Sequence, residues 1–196
     1  MREEFKLMAH FIFMKNEELI LARIHAHLCG DGCLCVYKTS EPDRINRAAI
    51  IYSNNSETLL KEFQQDMQSF FGVKMTISSK KNEVRVQSLR IAQFLLSLSQ
   101  FHSRSWSIPS RFMNANREVK LAWITAFAQD EGYVMKDRRC IRIKCVNLEG
   151  LKQVKALLTS LEIQSNLTGP NCDETWYLNI RPEKELLTFR KVACRT

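Results

Sequence analysis

The sequence predicts an α+β chain built twice over, each half running α-β-β-α-β-β-α. Three observations predict it. The stretches "LARIHAHLCGDG" (21–32) and "LAWITAFAQDEG" (121–132) correspond at a constant offset of 100 residues. Leu21 matches Leu121, Ala22 matches Ala122, Ile24 matches Ile124, Ala26 matches Ala126 and Gly32 matches Gly132, while Asp31 meets Glu131. A repeat of this kind decides architecture before any single residue does. The segments after each motif also follow in the same order of strand and helix patterns. Finally, each motif ends an apolar helical run on an acid and a glycine. A carboxylate at the negative end of a helix is disfavoured by about 0.3–1 kcal/mol. One Asp-Gly would pass as a turn; the same placement twice asks for another reason.

The elements can be justified in order. The first helix ends at "IHAHLCGDG". After Gly32, "CLCVYKT" and "RAAIIYS" flank the polar stretch "SEPDRIN", and their β-branched and aromatic content predicts a hairpin with a long loop. After Gly132, "YVMK" and "CIRIKCV" flank a tight basic turn at "DRR". The next helices are "NSETLLKEFQQDMQSFFG" (55–72), capped by Asn55 or Ser56 and closed by Gly72, and "NLEGLKQVKALLTSLE" (147–162). Two short strands follow each: "VKMTISS" with "EVRVQSL", and "IQSNLT" with "TWYLNIR". Further helices near 88–100 and 183–192 end the halves. Between them "FHSRSWSIPSRFMNAN", polar and broken at Pro109, reads as a linker. The division is therefore 1–100, a linker at 101–116, and 117–196.

Composition sets the class. With 196 residues, 45% hydrophobic and 26% charged, the chain reads as globular. No apolar run approaches the roughly 18–20 residues of a membrane span, and the N-terminus lacks the pattern of a signal peptide. Seven cysteines, an odd number with no secretory signal, read as reduced thiols inside a cell. The net charge of +8 is uneven. Residues 1–100 hold 13 Lys+Arg against 11 Asp+Glu, and residues 101–196 hold 16 against 10. The excess gathers in "YVMKDRRCIRIKC", and a clustered basic excess suits a polyanion.

The chemistry starts from helix faces. Ala22, Ala26 and Gly30 are four apart, and Ala122 and Ala126 repeat the spacing. Small residues so spaced let two helix backbones approach closely. Two copies suggest that the motif helices pack on each other about a pseudo-twofold axis, bringing Asp31 beside Glu131. Neighbouring carboxylates cannot both ionise cheaply, and a divalent cation relieves the repulsion. Oxygen ligands suit Mg²⁺, and Mg²⁺ beside a basic groove points to phosphodiester chemistry.

The strands supply the groove. Arg142 and Lys144 alternate with Ile141, Ile143 and Cys145, which puts the charges on one sheet face. Arg85 and Gln87 alternate with Val84 and Val86, and Lys74, Thr76, Ser78 and Lys80 with Val73, Met75 and Ile77. Lys136, Arg138 and Arg139 add to the basic turn, and Lys38, Arg44 and Arg47 flank the long hairpin loop. A single alternating strand is as often a solvated face as a binding one. Several together, around paired acids, favour nucleic acid, because a two-stranded ribbon fits the major groove and long basic side chains reach phosphates and base edges.

At these residues the chain resembles the LAGLIDADG homing endonucleases. "IHAHLCGDG" and "ITAFAQDEG" look like the family's two motifs, and "SWSIPSRFMNANREVK" looks like its lead-in to the second. The resemblance covers nearly all of the chain and implies the single-chain, two-motif form. Each half would carry a curved four-stranded antiparallel sheet, the two forming a saddle on DNA. It implies a monomer that hydrolyses both strands of a long asymmetric site with Mg²⁺, two or more divalent ions being expected, and leaves 3′-hydroxyl and 5′-phosphate ends. Asp31 and Glu131 would be the catalytic metal-binding acids, with the carbonyls of Gly30 and Asp130 also facing metal. Asn54 fits a water-ordering role, whereas Cys145 and Val146 depart from the basic or amide residue usual at the matching place. A cytoplasmic archaeal or bacterial setting, or an organellar matrix, would follow, with no membrane association.

Other signals weigh less. His25, His27, Cys29, Cys33 and Cys35 are closely spaced, but they span a helix end and would point several ways, which argues against zinc. Cys33 and Cys35 read as small apolar strand residues, and Trp106, Trp123 and Trp176 as core. Two rival functions share the same fold: an intron RNA maturase and a sequence-specific DNA-binding protein without nuclease activity.

Overall fold

A computed structural model describes the backbone of residues 2–38, 45–135 and 140–181, and side chains within 16–37, 47–135 and 140–181. Helix α1 (Arg2–Cys29) leads into strands β1 (Gly32–Lys38) and β2 (Ile45–Ser53). Helix α2 (Glu57–Phe71), strands β3 (Thr76–Ser78) and β4 (Glu83–Gln87) and helix α3 (Leu89–Leu98) complete the first half. A single-turn helix, α4 (Ser110–Met113), precedes α5 (Arg117–Glu131). Strands β5 (Gly132–Val134) and β6 (Ile141–Cys145), helix α6 (Leu148–Ser160) and strands β7 (Ser165–Thr168) and β8 (Trp176–Ile180) follow. The helix expected at 183–192 lies outside the described residues.

Each half forms one antiparallel four-stranded sheet, ordered β1-β2-β4-β3 and β5-β6-β8-β7. The identical order is the structural form of the sequence repeat. Helix starts follow the side chains that satisfy their free N–H groups. Ser56 rather than Asn55 caps α2, its hydroxyl accepting from Leu59 N, and Gly72 closes the helix at φ 68°. Asn116 and Asn147 cap α5 and α6 in the same way.

The helix α1 is buried on two sides. Ile20, Ile24 and Leu28 join the first core, with Phe63, Met67 and Ile50. Leu21, Ala22, Ala26 and Cys29 join the second, with Trp123, Phe127 and Leu157. That division explains the missing polar stripe in the motif sequence: the helix faces apolar surroundings from both halves. His25 lies wholly in this seam. Its Nδ1 accepts from Trp123 Nε1 at 3.0 Å, and burial lowers its pKa to about 3, so the ring is neutral.

The 101–116 segment, read as a linker, packs against the second half. Trp106, Ile108 and Phe112 are buried in the second core. Asn147 Nδ2 donates to the Trp106 carbonyl, and Ile108 N donates to Gln153 Oε1. Cys33 and Cys35, expected to pack as small apolar residues, are exposed and half-buried respectively. Leu34, between them, meets the first core instead, so the strand's outer face carries the thiols. Trp106 and Trp123 are core, as expected, while Trp176 packs at its margin. Among the described residues no helix is long and apolar enough to cross a membrane.

Candidate metal and nucleic-acid site

The site forms where α1 and α5 end together. Each motif glycine is required by space. A Cβ on Gly32 would lie 2.4 Å from Leu28 Cα, and one on Gly132 would lie 2.5 Å from the Ala128 carbonyl oxygen. The chain therefore turns from helix to strand directly beneath the helix end, and the preceding acid is fixed at the junction. Gly30 is crowded by the other motif helix instead: a Cβ there would stand 2.7 Å from Asp130 Cβ.

Asp31 and Glu131 meet electrostatically. Crowding by protein raises the Asp31 pKa to about 6, helped by the Asp130 charge and opposed by a hydrogen bond from Asn54 and by His27. Burial raises Glu131 to about 7, and the charges of Asp31 and Asp130 add to it. Both acids are thus held well above their ordinary range by desolvation and by the Asp130 charge, and Glu131 also by Asp31. The donors are all oxygens, the set a hard divalent cation prefers. Among the described residues no group of three or more His, Cys, Asp or Glu forms a ready metal cage. A cation here would complete its shell with backbone carbonyls, water or substrate phosphate, which fits Mg²⁺.

Asp130 is the surprise of the site. Its side chain is fully buried. Tyr52 Oη donates to Oδ1 at 2.6 Å, Asn54 Nδ2 approaches Oδ1 at 3.3 Å, and His27 Nδ1 stands 2.9 Å from Oδ2. Both its oxygens are engaged from the first half of the chain. Asn54 also donates to Asp31 Oδ2 at 2.9 Å. Its amide touches the acid itself. His27 and Tyr52 were missed from sequence. The signal was present in His27, which stands where the repeat has Phe127.

The sheet faces carry the remaining expected residues. Register places Arg47, Arg85 and Gln87 on one face of the first sheet, in line with Cys33, Cys35, Thr76 and Ser78. Lys74 and Lys80 are exposed beside it. In the second sheet, Arg142 lies over the Tyr177 ring at 4.7 Å and donates to Asn179 Oδ1 at 2.7 Å. Lys144, on the same face, pairs with Asp173 at 2.6 Å. Tyr177 and Asn179 were also missed, although they alternate with Trp176, Leu178 and Ile180. Arg44, Lys136, Arg138 and Arg139 lie outside the described residues, as does the Lys38 side chain.

Residues 118–193 match the LAGLIDADG-like domain family. Solved structures of mesophilic variants of the homing endonuclease I-DmoI superpose with a TM-score of 0.69 at 20% identity, covering 92% of this chain and 98% of that one. I-DmoI in complex with DNA and Mn gives 0.68 at 19% identity over the same shares. The N-terminal LAGLIDADG domain of DUF199/WhiA gives 0.50 at 13% identity, covering 92% of this chain and 84% of that one. At these identities the structural likeness concerns the fold. Residues 118–193 are thus similar to a LAGLIDADG-like domain, and the chain shares the fold of these solved structures over nearly its whole length.

Proposed function

We propose that the protein is a site-specific, metal-dependent double-strand DNA endonuclease that acts as a monomer. The observation that carries this reading is the pair of acids, Asp31 and Glu131, held near pKa 6 and 7 where α1 and α5 end together. A protein tolerates such repulsion where a cation relieves it. Related folds have been solved with DNA and Mn, or with DNA and Ca, and the two sheet faces here are basic and polar in the manner such a partner needs.

Asp31 and Glu131 would hold Mg²⁺, with the carbonyls of Gly30 and Asp130 beside them. Two or more ions are expected. Bound Mg²⁺ supplies positive charge at the attacking and leaving oxygens. Asn54 holds one oxygen of Asp31, leaving the other free to face the ion or the attacking water. In each strand a water oxygen forms the new bond to phosphorus and the P–O3′ bond breaks. The water's proton passes to solvent and the 3′ oxygen takes one up, leaving 3′-hydroxyl and 5′-phosphate ends. The halves 1–100 and 117–196 would each read one side of an asymmetric site. Arg47, Lys74, Lys80, Arg85 and Gln87 would serve one side, Arg142 and Lys144 the other. Lys38, Arg44, Lys136, Arg138 and Arg139 are proposed as further contacts from sequence alone.

The test is cleavage of a randomised duplex library in Mg²⁺, with Asp31→Asn alongside. A single long cut motif, lost in the variant and in Ca²⁺, supports the reading. Enrichment by binding without cutting would instead support a DNA-binding protein, a second reading that Cys145 favours because it offers no amide beside Glu131. Enrichment of structured RNA alone would support a maturase.

A further inference from the structure

We infer that Asp130 is a positioning residue for the first catalytic acid, and that the two strands are consequently cut at unequal rates. The inference rests on the endonuclease reading. It begins with the repeat. Gly32 pairs with Tyr52 across the first hairpin, and Gly132 pairs with Ile143 across the second. Tyr52 therefore corresponds to Ile143, and Asn54 to Cys145. The offset of 100 makes His27 correspond to Phe127, and Gly30 to Asp130. All four pairs depart from symmetry in one sense. The three donors lie in the first half, and their shared acceptor comes from the second.

Space enforces the arrangement. Asp130 fits because Gly30 has no side chain; a Cβ there would lie 2.8 Å from Asp130 Oδ2. Burying a carboxylate costs heavily unless it is fully hydrogen-bonded. The first repeat manages with glycine at the same place, so the fold itself does not demand the acid. Because both its oxygens are engaged inward, Asp130 is occupied as an acceptor and its side chain does not compete for a cation.

Its effect passes through Asn54. One amide arm reaches Asp31 Oδ2 and Asp130 Oδ1, while Oδ1 of Asn54 accepts from Ser56 N at 2.8 Å, at the start of α2. Every polar atom of the side chain is committed. In the second half Cys145 Sγ accepts from Asn147 N at 3.4 Å, the same local turn at the start of α6. Cysteine has no amide to extend to Glu131, and Glu131 has no side-chain hydrogen-bond donor among the described residues. Among the described residues, one acid is anchored in orientation by a side-chain donor and the other is not. Small differences in such anchoring change rates strongly.

The test follows each strand separately. A duplex carrying the selected site, with distinct labels on its two strands, is cut under single-turnover conditions in Mg²⁺. Wild type should accumulate a nicked intermediate. Asp130→Asn should slow one strand by about 10-fold or more, the usual scale for losing a residue that orients a metal ligand, while the other strand changes less than about twofold. Tyr52→Phe should slow the same strand more mildly, and it serves if Asp130→Asn does not fold. DNA affinity in Ca²⁺ should stay unchanged in both variants, which a merely structural role would not predict. A readout independent of cleavage is Mn²⁺ titration followed by electron paramagnetic resonance. Asp130→Asn should weaken the tightest class of sites about 10-fold. Equal slowing of both strands, or unaltered Mn²⁺ affinity, overturns the inference. A wild type that binds Mn²⁺ in this pattern but cuts no DNA overturns the endonuclease reading instead.

Discussion

The two halves share strand order and motif, yet they use their interiors differently. In the first half, polar side chains cluster under the helix ends: His27, Tyr52 and Asn54, converging on Asp130. In the second half the same places hold Phe127, Ile143 and Cys145, and the core is enlarged by a connecting segment that has no counterpart within the described part of the first. Trp106 packs on Phe127 with ring centroids 5.0 Å apart. The lesson is that a duplicated fold needs only its small-residue seam and its helix-to-strand glycines to persist. Everything beneath the seam is free to diverge, one half towards orienting a carboxylate and the other towards packing.

The largest expected effect removes what the halves share. Asp31→Asn or Glu131→Gln should each lower the cleavage rate by a factor on the order of 10³, the scale for losing a group that stabilises transition-state charge. Binding in Ca²⁺ should survive. Equal tolerance of both substitutions would end the proposal of a two-acid site.

Next comes stability, where the halves should part. Trp106→Ala should destabilise the second core by about 3–5 kcal/mol. A milder probe is Gly150→Ala, whose Cβ would lie 2.5 Å from the Trp106 ring; overpacking of this kind costs about 1–3 kcal/mol. Hydrogen exchange should show the second sheet opening before the first in both variants. Uniform loss of protection would mean that the shared seam, rather than the connecting segment, limits stability.

Recognition should also divide by half. Arg142→Ala removes a guanidinium that Tyr177 and Asn179 hold in place, and Arg85→Ala removes one from the first sheet, at the place where the second has Asn179. Each should weaken binding by about 1–3 kcal/mol if it reads a base. If it meets only phosphate, the loss should be uniform over sequences and the salt slope should fall by about 1. Substitution of Lys144 should matter less, because Asp173 already pairs with it.

The smallest effect concerns pH. Asp31 and Glu131 have folded pKa values of about 6 and 7, above their ordinary 3.8 and 4.5. The folded state therefore binds protons more tightly than the unfolded one, and the metal-free protein loses stability from these acids as pH rises from about 4 to 7. Asp31→Asn removes that penalty. At pH 8 without metal it should raise the Tm by about 2–4 °C, the shift given by roughly 1 kcal/mol in a chain of this size, solvent screening having reduced the full linkage value. Adding Mg²⁺ or Ca²⁺ should stabilise wild type and leave the variant nearly unmoved. A lower Tm in the variant would mean that Asp31 is needed for folding.

Much of this was legible in the sequence because it is written in local patterns. The repeat, the helix caps, the alternating strands and the acid-glycine ends each depend on neighbours a few residues away, and backbone geometry converts such spacing directly into faces and turns. The pairing of Asp31 with Glu131 could be inferred because the duplication itself supplies the symmetry. What lay beyond reach was which side chains fill the space between the halves. Asp130 reads as a spare acid at a helix end. Only the closeness of α1 to α5, and the missing side chain at Gly30, turn it inward to Tyr52, His27 and Asn54, residues 76 to 103 positions away in the chain. The burial of the connecting segment rests on the same kind of close contact. Its polar residues are local and visible, but its burial depends on the room that Gly150 leaves for Trp106. Sequence by itself determined the repeated architecture and the paired acids. Tertiary packing decided how each acid is held, because hydrogen bonds and close contacts across the seam depend on distances that no local pattern encodes.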